Sequence, residues 1–307
     1  MSAILTTTRL TKAFDGHEVV SNVNMTIQQG EIYGFLGLNG AGKTTVMRMM
    51  MNLVKPTEGE IEVFGEKLTD HSYDVFKRMG SIIEYPVFYD KLTGRENLEL
   101  HCEYMGYHNL KAIDEALDLV QLKVSDSKPV KEYSLGMKQR LGIARAITTK
   151  PELLLLDEPI NGLDPVGIKE LRKLFKLLSK EYGMTLLISS HILGEIEQFA
   201  DTIGVISEGR LIEQVTMEEV HGRSSDYLEV VTPDLTKAVM ILDSKLGLRN
   251  YKVIGERIVR IYEPGAAASD ISRTLLMNGV DIDSINKKTS SLEDYFLESI
   301  HGGGVSA

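Results

Sequence analysis

The stretch Gly37-Leu38-Asn39-Gly40-Ala41-Gly42-Lys43-Thr44-Thr45 leaves the chain few choices of fold. Glycines at 37, 40 and 42 permit a tight turn with positive φ angles, so that successive backbone N–H groups converge on one anion. Just before it, Glu31-Ile32-Tyr33-Gly34-Phe35-Leu36 is a short apolar run of strand character, and residues 44–52 carry helix formers and no breaker. Strand, glycine-rich loop and helix form the context in which a phosphate group rests on the positive end of a helix. In that arrangement Leu38, Asn39, Ala41 and Thr45 complete the loop lining. Lys43 reaches the β- and γ-phosphates of a nucleotide, and the Thr44 hydroxyl is placed to ligate Mg²⁺.

A second pattern is equally specific. Leu153-Leu154-Leu155-Leu156 is apolar without alternation, as in a parallel strand covered on both faces, and Asp157-Glu158 close it. Open α/β sheets collect their ligands at the carboxyl ends of such strands. Asp157 is therefore expected to bind the Mg²⁺ complex and Glu158 to polarise an attacking water. Residues 185–190 repeat the buried-strand pattern, and His191 at their end is expected to contact the γ-phosphate. Ser134 suits the N-cap of a helix opening at Leu135-Gly136-Met137, whose free N–H groups offer a second anion site. Phe14, ahead of the Asp15-Gly16 turn, fits two roles that spacing does not separate: a ring stacked on adenine, or a residue buried in a strand meander.

With 307 residues, 43% of them hydrophobic, the chain has room for one large and one small domain. A formal net charge of −10 argues against a nucleic-acid partner held by general electrostatics. No apolar run approaches the roughly 18 residues of a membrane helix, and the N-terminus lacks a signal-peptide apolar region, so the chain is expected to stay where it is made. Cys102, the single cysteine, cannot form an internal disulfide and fits a reducing compartment as a half-buried thiol.

In chain order, residues 10–14, 19–23 and 25–27 read as a short antiparallel meander broken at Asp15-Gly16 and Ser21-Asn22. Strands are expected at 60–64 and 81–83. Three stretches of helical period, 93–104, 111–120 and 137–148, make a helical insertion of about 86–150. A helix over 168–182 follows the Asn161-Gly162-Leu163-Asp164-Pro165 turn, and a hairpin joins 203–207 to 211–215. The nucleotide-binding domain, 1–221, then gives way to an accessory domain, 222–301. Its strand 227–231, helix 235–246, strands 251–254 and 258–262, helix 269–277 and strand 280–285 follow the split ferredoxin-like order β-α-β-β-α-β. A closing helix is expected at 292–300 and a loose tail at 302–307. Tyr85-Pro86-Val87-Phe88-Tyr89 holds three aromatics in five residues, which suits core packing or a groove for a partner's helix.

Phosphate loop, helical insertion, the 134–140 segment, the Asp157-Glu158 pair, the Asp164 turn and His191 come in an order that resembles the ATP-binding cassette ATPases over about residues 5–221. The resemblance implies an α/β fold: a P-loop NTPase (RecA-like) core with an antiparallel β subdomain and a helical insertion, followed by the small α+β domain. It implies ATP and Mg²⁺ as cofactors, and a head-to-tail dimer with ATP sandwiched between the phosphate loop of one subunit and the signature helix of the other. Ser134 and Gly136 then reach the γ-phosphate in the partner's site, Phe14 stacks on adenine, and Asp164 lies at the dimer seam. Glu84 stands where the family has its Q-loop glutamine, able to face the metal or water.

The signature, usually Leu-Ser-Gly-Gly-Gln, is here Tyr133-Ser134-Leu135-Gly136-Met137. Both this departure and Glu84 are similar to the exporter branch that includes bacitracin-resistance and lantibiotic self-protection transporters. There a separate permease sends a coupling helix to the groove beside the Q-loop, here near Glu84, Tyr85, Phe88 and Tyr89. That would place the chain at the cytoplasmic face of the membrane with no span of its own. The alternative is a soluble cassette ATPase acting on ribosomes or nucleic acid. Such proteins usually carry two cassettes or a coiled-coil or zinc insertion, and this chain has one phosphate loop and neither insertion. No catalytic cluster marks the accessory domain, for which regulation or dimer contact is the default expectation.

Overall fold

The computed structural model describes residues 2–123, 128–223, 226–263 and 265–289. Residue contacts gather Met1–Met217 into one compact unit and Glu218–Glu298 into another.

The first unit begins with an antiparallel sheet in the order β2-β1-β4-β5, formed by β1 (Ala3–Phe14), β2 (His17–Gln28), β4 (Glu58–Val63) and β5 (Glu66–Lys67). One long hairpin stands where three short strands were expected. The Ser21-Asn22 break is a bulge within β2: the register slips between Leu10↔Val23 and Lys12↔Val20, with Asn22 at φ 52°. Side chains repair the interrupted ladder, since Thr11 Oγ1 accepts from Asn22 N at 3.0 Å and Asn24 Oδ1 from Arg9 N at 2.8 Å. A break in alternation that side-chain oxygens satisfy bends a strand without ending it.

The central sheet runs β10-β9-β3-β8-β7-β6: β3 (Ile32–Leu36), β6 (Met79–Ile82), β7 (Leu153–Leu156), β8 (Thr185–Ser190), β9 (Thr202–Ser207) and β10 (Arg210–Thr216). All pairings are parallel except β9 with β10, whose turn places Glu208 and Gly209 at φ 49° and 76°, as a tight hairpin requires. Every residue of β7 is fully buried, which explains its unbroken leucines. Helix α1 (Lys43–Met50) follows β3, and α2 (Tyr73–Lys77) precedes β6.

Between β6 and β7 lie α3 (Gly94–Met105), α4 (Lys111–Leu119) and α5 (Leu135–Thr148). Thr93 and Glu96 close a capping box on α3, and Cys102 is fully buried in it rather than half-buried. Helix α5 meets β6 so closely that a Cβ on Gly80 would lie 2.2 Å from the Ala146 carbonyl oxygen, so only glycine fits there. After β7, α6 (Pro165–Lys180) starts earlier than its apolar period suggests, because proline is tolerated in the first turn and Asp164 caps it. The short α7 (Leu193–Ile196) follows β8, and α8 (Met217–Arg223) follows β10. Among the described residues no helix is long and apolar enough to cross a membrane.

The second unit contains β11 (Asp226–Val231), α9 (Leu235–Leu246), β12 (Tyr251–Ile254), β13 (Ile258–Ile261), α10 (Ala268–Met277) and β14 (Ser284–Thr289). Its antiparallel sheet, ordered β12-β13-β11-β14, has the ferredoxin-like arrangement. Ala238, Leu242, Ile271 and Leu275 of the two helices share one buried core with Val230, Val259 and Ile261 of the sheet. The last strand begins at Ser284 rather than at 280. Gly279 takes φ 69° to end α10, and Val280 donates back to Leu275 O at 3.1 Å, so its apolar side chain closes the helix end. The segments 292–300 and 302–307 lie outside the described residues.

Candidate functional site

The strand order β3-β8-β7-β6 brings four chain-distant loops to one sheet edge. The phosphate loop leaves β3, His191 leaves β8, Asp157-Glu158 leave β7, and Glu84 follows β6. Because these strands are parallel, all four loops emerge at the same end.

The loop glycines have distinct reasons. A Cβ on Gly37 would lie 2.5 Å from Ile206 O, whereas Gly40 and Gly42 hold φ of 83° and 106°. Gly42 caps α1, whose first N–H groups face the loop. Leu38, Asn39 and Gly40 are exposed at the rim, Ala41 is buried beneath them, and Thr45 is half-buried in the first helical turn. Lys43 is only 6% exposed. Its Nζ donates to Gly37 O at 2.7 Å and Leu38 O at 3.3 Å, and lies 3.3 Å from Glu158 Oε1.

Asp157 is 2% exposed and fully engaged. Its Oδ2 accepts from Thr44 Oγ1 at 2.8 Å and its Oδ1 from Ser189 Oγ at 2.5 Å, while Ser189 Oγ accepts from Glu158 N at 2.9 Å. Glu158 Oε2 lies 3.0 Å from His191 Nδ1. Its buried Oε1 has no hydrogen-bond partner: Lys43 is within ion-pair distance but not in hydrogen-bonding geometry. The Glu158 backbone, at φ 47°, is left-handed, a conformation costing a non-glycine residue on the order of 1–3 kcal/mol. Lys43, Thr44, Asp157, Glu158 and His191 thus form one continuous polar network at a helix N-terminus. Such a site offers a cation and amide dipoles to an anion, and carboxylate oxygens to a proton or a hard cation.

Other expected site residues lie apart from this network. The Glu84 carboxylate, 46% exposed, pairs with Arg48 of α1, and its backbone has φ 64°. Ser134 caps α5, accepting from Met137 N at 3.3 Å. Beside it, the exposed Leu135 packs over Gly162, where a Cβ would lie 2.7 Å from Leu135 Cδ2, and Gly136 sits next to Leu163. Asp164 Oδ1 accepts from Gly167 N at 2.7 Å as the cap of α6. Phe14 is exposed, with Lys12 Nζ 4.9 Å from its ring centroid, so the buried role is excluded. Tyr85, Val87 and Tyr89 are exposed and Phe88 half-buried, which argues against core packing for this loop.

Sequence reasoning missed Ser189 and Arg48. The signal for Ser189 was a hydroxyl near the carboxyl end of a fully buried strand. Arg48 gave none beyond its place on α1, since its partner is 36 residues away.

The ABC transporter family model matches residues 20–161. The uncharacterized ABC transporter ATP-binding protein YcbN of Bacillus subtilis (strain 168) is 62% identical over the whole of both chains. The bacitracin transport ATP-binding protein BcrA of Bacillus licheniformis is 46% identical over 99% of this chain and all of the relative. A solved dimeric structure of the ATP-binding cassette MJ0796, in a post-hydrolysis state bound to ADP and Pi, superposes with a TM-score of 0.63. Identity is 26%, covering 69% of this chain and 98% of that one. The chain belongs to the ABC transporter ATP-binding proteins, in the branch that holds the bacitracin and lantibiotic transport proteins, and is an ATP-binding, ATP-hydrolysing subunit.

Proposed function

We propose that the chain powers a bacterial exporter that removes antimicrobial peptides of the bacitracin or lantibiotic type, acting as a dimer on a separate membrane permease. The carrying observation is the continuous network from Lys43 through Glu158 to His191, at hydrogen-bond or ion-pair distances. In this reading residues 37–45 wrap the phosphates and Lys43 neutralises them. Glu158 takes the proton of the attacking water, with His191 holding the carboxylate in place and contacting the γ-phosphate.

Thr44 and Asp157 supply the hard oxygen donors that suit Mg²⁺. Among the described residues no group of three or more His, Cys, Asp or Glu could hold a metal ion, and Thr44 and Asp157 are the residues that would hold this one. When bound, Mg²⁺ neutralises charge that develops on the phosphates. Ser134 and Gly136 would contact the nucleotide of a second copy, with Asp164 at the seam and Phe14 against adenine. Support for the dimer comes from the dimeric cassette with ADP and Pi, and for the exporter from the bacitracin transport relatives.

Purifying the tagged chain from detergent-solubilised native membranes tests this reading. A multi-span permease at near one-to-one stoichiometry is expected by mass spectrometry. Ribosomal proteins without a permease would favour the soluble alternative.

Glu84 adds a negative charge beside the phosphates, and Arg48 offsets it. Glu84→Gln is therefore expected to leave the ATP dissociation constant within about twofold, because an exposed ion pair contributes little. It should lower peptide export per ATP hydrolysed, read as survival against bacitracin at equal expression. Unchanged survival and hydrolysis would leave Glu84 a structural substitute.

A further inference from the structure

The bulge at Ser21-Asn22 frees a backbone group from its own sheet. Opposite it β1 offers only Thr11, whose side chain takes the N–H of Asn22. The N–H of Ser21 donates instead to Gly209 O, at 2.8 Å, at the tip of the β9–β10 hairpin. Gly209 N in turn donates to Ala41 O of the phosphate loop at 3.0 Å. Through its two backbone groups, one residue joins β2 to the loop.

No larger residue fits the junction. Gly209 is buried at φ 76°, and a Cβ there would lie 2.5 Å from Val19 O and 2.9 Å from Val19 C. The loop is packed almost as closely, since a Cβ on Gly42 would lie 3.1 Å from Val19 O and 3.5 Å from Gly209 Cα. Bulges of this kind re-aim a strand beside a site. Beyond the bulge the ladder resumes, with Lys12 opposite Val20, Ala13 opposite Glu18 and Phe14 opposite His17. These pairs carry the position of the junction out to the exposed Phe14 ring, which Lys12 Nζ faces at 4.9 Å while donating to Lys55 O at 2.8 Å. The span from Phe14 to residues 37–45 is thus set where Gly209 sits. A ligand that meets both ends binds more tightly when their separation is fixed in advance.

We propose that Gly209 is a positioning residue that holds the Phe14 end of the β1–β2 hairpin in register with the phosphate loop, so that base and triphosphate are bound together. The proposal rests on the reading above, in which Phe14 meets adenine, and adds the residue that fixes its distance from the phosphates. A methyl group at 209 would press on Val19 and Val20 of β2, while the bond from the 209 N–H to the loop is left in place. Its effect should fall on the base and spare the phosphates.

The test titrates the full chain with ATP and with inorganic tripolyphosphate by calorimetry, without Mg²⁺ so that ATP is not turned over. Phe14→Ala alone should weaken ATP about tenfold, as loss of one base–aromatic stack does, and leave tripolyphosphate within about twofold. Gly209→Ala should do the same, and adding Phe14→Ala to it should cost less than about twofold more. Inserting one glycine between Glu208 and Gly209, at an exposed turn that tolerates added length, slackens the tip without a methyl and should give the same pattern. Equal weakening of ATP and tripolyphosphate in both variants, or a full tenfold cost of Phe14→Ala on top of Gly209→Ala, overturns the inference and leaves the adenine reading standing. So does wild-type ATP affinity in Gly209→Ala. Unchanged ATP affinity in Phe14→Ala alone overturns both.

Discussion

Glu158→Gln is expected to lower the ATP turnover number by about 10²–10⁴-fold while the ATP dissociation constant stays within about twofold. The amide has nearly the shape of the carboxylate and still reaches His191 Nδ1, which now lies 3.0 Å from Oε2. What it loses is basicity, the property a group needs in order to take a proton from water. The strained Glu158 backbone and its N–H bond to Ser189 are untouched, so the substituted side chain should occupy the same place. ATP that binds and is not hydrolysed should hold two copies together. Phosphate release in single-turnover experiments and size-exclusion chromatography with ATP measure the two effects. Turnover near the wild-type value would remove Glu158 from its proposed role.

The second large effect is expected at Lys43. Lys43→Ala should weaken ATP binding by about 10²-fold or more, since each hydrogen bond to a charged group contributes roughly 1.5–3 kcal/mol and the ammonium can make two. The substitution also leaves Glu158 Oε1, 3.3 Å from Nζ and without a hydrogen-bond partner, next to Asp157 with no nearby cation. Two carboxylates would then face the entering phosphates uncompensated. Titration of the variant with a fluorescent ATP analogue measures the loss. An unchanged dissociation constant would sink the phosphate-loop assignment.

The two residues were legible in the chain because their chemistry is written in neighbours: Lys43 in three glycines and the helix behind it, Glu158 in four leucines and the aspartate before it. Ser134 as a cap, the helical period of 93–104 and 111–120, and the order of the second unit were local in the same sense. A helix boundary depends on its own capping residue and a buried strand on its own unbroken apolarity.

What depended on long-range pairing stayed hidden. Ser21-Asn22 looks like a turn until Thr11, ten and eleven residues away, is seen to repair the ladder and keep the strand running. Val280 has the composition of a strand, but Gly279 turns it back onto α10. Ser189 and Arg48 acquire meaning only from partners the fold supplies: Asp157 and Glu84.

The sequence by itself determined what binds here, because a phosphate loop is a short-range device whose glycines, lysine and helix act within nine residues. Only the tertiary structure decided how the catalytic groups meet. Asp157, Glu158, Ser189 and His191 stand far from the loop in the chain, and parallel strands deliver their carboxyl ends to the same side of the sheet.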